Sequence, residues 1–197
     1  MTPELPLRPW IGANYATLPK GQRLLLLGES MYTTADKLSP NILSDLIAEQ
    51  ITGPNTWRFY NRVYHTVTGK RRTRSIGDEL KAFWDRVSLY NYVQFPLQGG
   101  PRTRPTDQQW ADSRQLFPTA FAELKPDRAI VFGNQLAGCL MAAGFGERSE
   151  TQCRGKLVTQ AHECPALFIK HPASVGYSAG RWYSEHVADF LSSPCEN

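Results

Sequence analysis

Three polar residues in this sequence sit where apolar runs stop, and their types are complementary. Glu29 follows the run "RLLLLG" within "LLLLGESMY". Asn91 lies in "VSLYNYVQF", among aromatic and β-branched residues. His171 ends "PALFIKHP" and opens "HPASVGYSAGRW". A glutamate can orient or deprotonate a water. An asparagine carries both donors and an acceptor, the equipment for reading the edge of a base. A histidine can donate a hydrogen bond to a developing anion. Each alone also fits a structural role: a helix cap for the Glu before Ser, a satisfied strand amide for the Asn, a turn for the His-Pro.

The elements around these residues set how they can meet. "RLLLLG", "VSLYNYVQF", "DRAIVFGN" and "PALFIKHP" read as four main strands, and "GKLVTQ" as a short further one. Helical spacing marks "PNILSDLIAEQI", "NTWRFYNRVYHTV" (with Asn55 or Thr56 as cap), "IGDELKAFWDRV", "QLAGCLMAAG" and "GRWYSEHVADFLSS". A long helix runs from Gln108 to about Leu124, capped by Thr106 or Asp107 and open to a kink or split at Pro118. Strands alternating with helices predict an α/β fold with a parallel sheet covered on both faces. One domain is expected over residues 1–197. In such folds function gathers where strands end. Four strand ends qualify: Gly28-Glu29-Ser30, Asn91-Tyr92, Gly133-Asn134 and His171-Pro172.

Composition narrows the partners. Apolar residues are 41% and charged residues 20%, as in soluble globular proteins. No run reaches the roughly 18 apolar residues of a membrane span. "MTPELPLRPW" lacks the pattern of a signal peptide, so a cytoplasmic location is expected. Cys139, Cys153, Cys164 and Cys195 form no C-x-x-C pair; reduced thiols are expected, with no metal and no iron–sulfur cluster. The net charge of +4 is uneven: Arg58 to Arg104 holds ten Lys/Arg against three acids. Such a concentration fits a polyanion partner, and equally a solvated helix face with a basic loop.

In chain order these segments resemble the uracil-DNA glycosylase superfamily. "LLLLGESMY" is similar to its first motif, an apolar strand and a turn of the G-Q-D-P-Y or G-E-A-P-G kind, with Gly28, Glu29 and Tyr32 matching. "LYNYVQFPLQGGPRTRPT" is similar to its strand Asn with a following loop, "LKPDRAIVFGNQLAGCLM" to its L-K-P stretch, and "KHPASVGYSAGRW" to its H-P-S motif and loop. The resemblance runs from Arg23 to about Leu191. It implies a three-layer α/β/α sandwich around a central, mostly parallel four-stranded sheet. It also implies a monofunctional DNA glycosylase without cofactor, expected as a monomer, that flips out a uracil or modified pyrimidine and leaves an abasic site. A modified pyrimidine would suit defence against phage DNA; uracil would suit repair.

The same resemblance assigns roles. His171 would donate to the leaving base and Asn91 would read its edge. Glu29 would act through a water, with Ser30 in the same turn. Tyr32 would face the base, and Phe59 or Trp57 would stack on it. Val175 or Tyr177 would be an apolar wedge into the duplex. Ser174, Ser178 and Arg181 would hold phosphates, with Arg72, Arg74, Arg102 and Arg104 as further DNA contacts. The sequence departs from the motifs at Ser30 (Asp in one form), at Met31 (Pro in both), and at Ala173, which lengthens H-P-S. The change at Ser30 keeps open an inactive protein that only binds DNA. An unrelated small-molecule hydrolase would lack a G-x-S-x-G elbow here.

Overall fold

A computed structural model describes residues 5–33, 39–53, 57–71, 77–97, 103–149 and 153–194. Its centre is four parallel strands: β2 (Leu24–Gly28), β3 (Val87–Asn91), β4 (Arg128–Phe132) and β7 (Glu163–Ile169). They lie in the order β3-β2-β4-β7, with β2 hydrogen-bonded to both β3 and β4. Leu25, Leu26 and Leu27 are wholly buried. Burial on both faces explains why β2 reads as an unbroken apolar run instead of an alternating one.

The sheet is larger and more mixed than four parallel strands. It has seven, in the order β1-β3-β2-β4-β7-β6-β5. β1 (Trp10–Ile11) pairs antiparallel with β3, β6 (Arg154–Val158) with β7, and β5 (Gly146–Arg148) with β6. β1 and β5 are too short to carry a periodic pattern. The β5–β6 ladder also depends on Gly155, where a Cβ would lie 1.9 Å from the Glu147 carbonyl oxygen.

Alternate side chains of the central strands feed two cores. Leu24, Leu26, Leu89, Ile130, Phe132, Leu167 and Ile169 face one side. There they pack with residues of α1 (Ile42–Thr52), α2 (Arg58–Thr68), α3 (Gly77–Trp84) and the C-terminal helix. That last helix is built from α6 (Ala179–Trp182), a π-helical turn at Tyr183–Val187 and α7 (Ala188–Ser192). Leu25, Leu27, Tyr90, Ala129, Val131, Ala166 and Phe168 face the other side, with α4 (Asp107–Leu124) and α5 (Asn134–Ala142). α4 opens on a capping box: the Thr106 hydroxyl accepts from the Gln109 N–H, and the Gln109 side chain accepts from the Thr106 N–H. It runs through Pro118 unsplit, because Phe117, Ala120, Phe121 and Leu124 hold both halves to the core. The α2 caps Asn55 and Thr56 lie outside the described residues; Trp57 stands at the cap position.

From β2 the chain passes to β3 on one side, then crosses to β4 on the other. The direction of winding therefore reverses at β2. The crevice beyond its carboxyl end is where a doubly wound sheet accepts ligands.

Leu26→Ala, in the middle of β2, is expected to lower unfolding free energy by about 2–5 kcal/mol. Thr106→Ala should cost only about 1 kcal/mol. Urea denaturation followed by circular dichroism measures both.

Candidate functional site

Glu29, Asn91, Gly133 and His171 come together at the carboxyl ends of the four parallel strands. Gly28 and Asn91 are register partners. A Cβ on Gly28 would lie 2.4 Å from Asn91 Oδ1, so only glycine lets that amide fold across the end of β2. The two segments stay paired beyond the strands: the Tyr92 N–H donates to the Gly28 carbonyl (2.9 Å) and the Val93 N–H to the Glu29 carbonyl (2.8 Å). Buried Gln94 braces the turn. Its amide donates to the Asn91 carbonyl and accepts from the Leu7 N–H, while its own N–H donates to the Ser113 hydroxyl.

Gly133 is the hub that assignment by residue type misses. Its φ of +119° suits glycine, and a Cβ there would lie 3.8 Å from His171 Cδ2 and 3.9 Å from Glu29 Oε2. The carboxylate and the imidazole thus approach one point from β2 and β7. Its signal in the sequence was its place at a strand end, as the fourth candidate terminus.

The tautomer of His171 follows from its partner. The Ala173 N–H donates to His171 Nδ1 at 3.1 Å. In the neutral ring the proton therefore resides on Nε2, which is left as a donor. Burial, and secondarily the nearby Arg104 charge, push the imidazole down to about 4. Phe59 stacks on the ring, with centroids 5.4 Å apart and planes 28° apart. One face of Phe59, expected against a base, is thus taken by His171. Ala173, the additional residue of H-P-A-S, supplies the N–H that orients the imidazole.

Glu29 is 7% exposed. Burial raises its affinity for a proton, and Arg104, with Nη1 3.4 Å from Oε1, opposes that rise. Ser30, partly exposed, follows in the turn. Tyr32 is 41% exposed, donates to the Thr103 carbonyl at 3.3 Å and bridges to Leu97. It lies near enough to Glu29 for the carboxylate's charge, after burial, to push its phenol up.

The loop after His171 is braced at its tip. Lys170 Nζ donates to the Val175 carbonyl at 2.8 Å, and Gly176 takes a left-handed φ of +71°. The Val175 side chain is left 94% exposed. Tyr177 is a correction: it cannot be the wedge or a DNA contact of this loop, being 7% exposed. Its hydroxyl shares a 2.6 Å hydrogen bond with the Thr66 hydroxyl, and the Arg62 guanidinium lies over its ring. Arg62 also donates to the Pro172 carbonyl, which anchors the loop to α2. Arg62 and Lys170 were not singled out as site residues; their positions on an amphipathic helix and beside His171 were the available signals. Ser174 is partly exposed, and its N–H donates to the His171 carbonyl at 2.9 Å. Ser178 caps α6 by accepting from the Arg181 N–H, and exposed Arg181 pairs with Glu185 at 2.8 Å. Arg72, Arg74 and Arg102 lie outside the described residues.

Cys139 and Cys153 are free thiols. Among the described residues, no group of three His, Cys, Asp or Glu side chains is assembled to hold a metal ion. No described helix is long and apolar enough to cross a membrane. In comparisons with known proteins, no family model matches the chain and no curated protein matches it.

The His171 geometry has a measurable consequence. Its folded titration point, about 4, lies below the ordinary 6.5. The unfolded chain then binds more protons between these values, so stability should fall as pH drops from 6.5 through 4. His171→Gln should flatten that part of the pH–stability profile. Nitrogen NMR of the wild-type ring should show the Nε2–H tautomer at pH 7; a midpoint near the ordinary histidine value would contradict this environment.

Proposed function

We propose that this protein is a monofunctional DNA glycosylase of the uracil-DNA glycosylase type. It hydrolyses the bond between C1′ and a flipped uracil or modified pyrimidine. The observation that carries the reading is the convergence of a buried carboxylate and a neutral, Nε2-protonated histidine beside an asparagine amide. The three layers and the parallel central strands support the fold that the motifs imply.

The chemistry requires opposite charges at two places. As the C1′–N bond breaks, its electron pair leaves with the base and positive charge develops on the sugar. His171 Nε2–H donates to the anionic oxygen of the base, and the Asn91 amide pairs with the base edge. Glu29 stabilises the sugar cation and takes a proton from the water that adds to C1′. The base departs as an anion and takes up, through solvent, the proton that Glu29 received from the water. Glu29 is thereby returned to its carboxylate, and the sugar remains as an abasic site. A neutral histidine fits this role because the group must donate without first losing a proton to solvent.

Val175, exposed at the tip of a braced loop, is the residue suited to fill the gap left by the flipped nucleotide. Lys170 and Arg181 flank that loop in sequence, and Arg58, Lys70 and Arg71 add positive charge on and just after α2. These cations suit the phosphate backbone, so affinity for DNA should fall steeply with salt. The protein acts in the cytoplasm, and the base class decides between repair and phage defence.

The test offers duplexes containing uracil or modified cytosines separately and assays abasic sites by alkaline cleavage. Wild type should cleave at least one. His171→Ala and Glu29→Ala should each lose about 10²–10³-fold. Val175→Ala should lose more on duplex than on single strands. Salt-sensitive DNA binding without abasic sites on any base would favour the inactive, DNA-binding reading, for which Ser30 speaks. Parental activity in both the His171 and Glu29 variants would sink the mechanism.

A further inference from the structure

Arg104 has a position that a simple phosphate contact does not require. It lies two residues ahead of the Thr106 capping box, so the rigid start of α4 limits where its backbone can go. On its other side, Tyr32 donates to the Thr103 carbonyl at 3.3 Å. From this clamped segment the guanidinium reaches the Glu29 carboxylate, 75 residues away in sequence, with Nη1 3.4 Å from Oε1. The Arg104 side chain is largely open to solvent, while the carboxylate it meets is buried. We propose that Arg104 is the positioning residue of the site, aiming and charging Glu29 across its mouth, in preference to serving as a contact to the DNA backbone.

The neighbourhood leaves this task to Arg104. Among the described residues, Tyr32 and Cys139 are the other titratable groups whose charges couple to Glu29, and His171 approaches the same point near Gly133. An ionised Tyr32 or Cys139 would oppose the carboxylate's charge, and His171 is neutral. Arg114 acts on Tyr92 and Cys139. Among the described residues, Arg104 is the cation that acts on both Glu29 and His171, and it acts in opposite senses on their charge. It favours the ionised carboxylate and disfavours a protonated imidazole. One guanidinium therefore supports the two charge states that the proposed hydrolysis needs. The catalytic consequence rests on the glycosylase reading; the electrostatic one does not.

Two kinds of measurement separate these layers. Carboxyl ¹³C and imidazole ¹⁵N titrations follow Glu29 and His171 in wild type, Arg104→Gln and Arg104→Lys. Removing the cation should move both midpoints upward, and lysine should restore part of the wild-type values. Mere loosening and rehydration would move them in opposite directions, Glu29 down and His171 up, and would overturn the proposal. So would unchanged midpoints with weaker DNA binding and a shallower salt slope, the signature of a phosphate contact. On a cleavable duplex, Arg104→Gln should lose about tenfold in kcat on the acid side of the optimum and recover toward wild type at higher pH. If no base is excised but both midpoints rise, Arg104 is the positioning residue and the glycosylase reading fails.

Discussion

A carboxylate held at 7% exposure on the end of a leucine strand is the constraint around which this molecule is arranged. Taking a carboxyl group out of water favours its neutral form unless partners compensate. Arg104 supplies the compensating charge from the rim. The backbone supplies position: Val93 N–H donates to the Glu29 carbonyl, and Tyr92 N–H to that of Gly28. The strand pairing that builds the core therefore continues past the strand ends into the site. The backbone at Glu29 is held by the sheet's own hydrogen bonds, and Arg104 meets its side chain.

Two glycines permit that arrangement. Gly28 lets the Asn91 amide cross over β2, and Gly133, with its φ of +119°, stands at the end of β4 between the strands from which the carboxylate and the imidazole approach. A methyl group at Gly28 would meet Asn91 Oδ1 at 2.4 Å, far inside van der Waals contact. The first is a requirement of space and the second of backbone conformation, and they tie two unremarkable strand-ending residues to whatever the site does. Burial also acts on His171, but in the opposite electrical sense, because its charged form is the cation. The same dry environment raises the carboxyl and lowers the imidazole. Phe59 deepens that burial by covering one face of the ring.

Much of this architecture was legible in the chain. The runs "LLLLG" and "RAIVF" mark central strands because both faces of the sheet are covered, which makes every position apolar. Thr106 and Gln109 announce the start of α4 by a local hydrogen-bond exchange that depends on three residues' spacing. The edge strands were not legible to the same degree. Trp10–Ile11 and Gly146–Arg148 gain their conformation from pairing with β3 and β6, not from any pattern of their own. Phe59 was legible as aromatic and near the site, but not as a partner of His171.

The sequence by itself marked where apolar runs break at Gly and at His-Pro, and it named Asn91 as a candidate end inside a run that reads on to Phe95; the structure ends β3 at Asn91. On that reading a glutamate, an asparagine and a histidine belong to one edge of a parallel sheet. Tertiary structure alone decided what each of them does there. Val175 projects and Tyr177 is buried because Thr66, 111 residues away, captures the Tyr177 hydroxyl. Arg104 meets Glu29 because the start of α4 is docked beside the end of β2. These outcomes depend on contacts between distant segments, and local spacing carries no record of them.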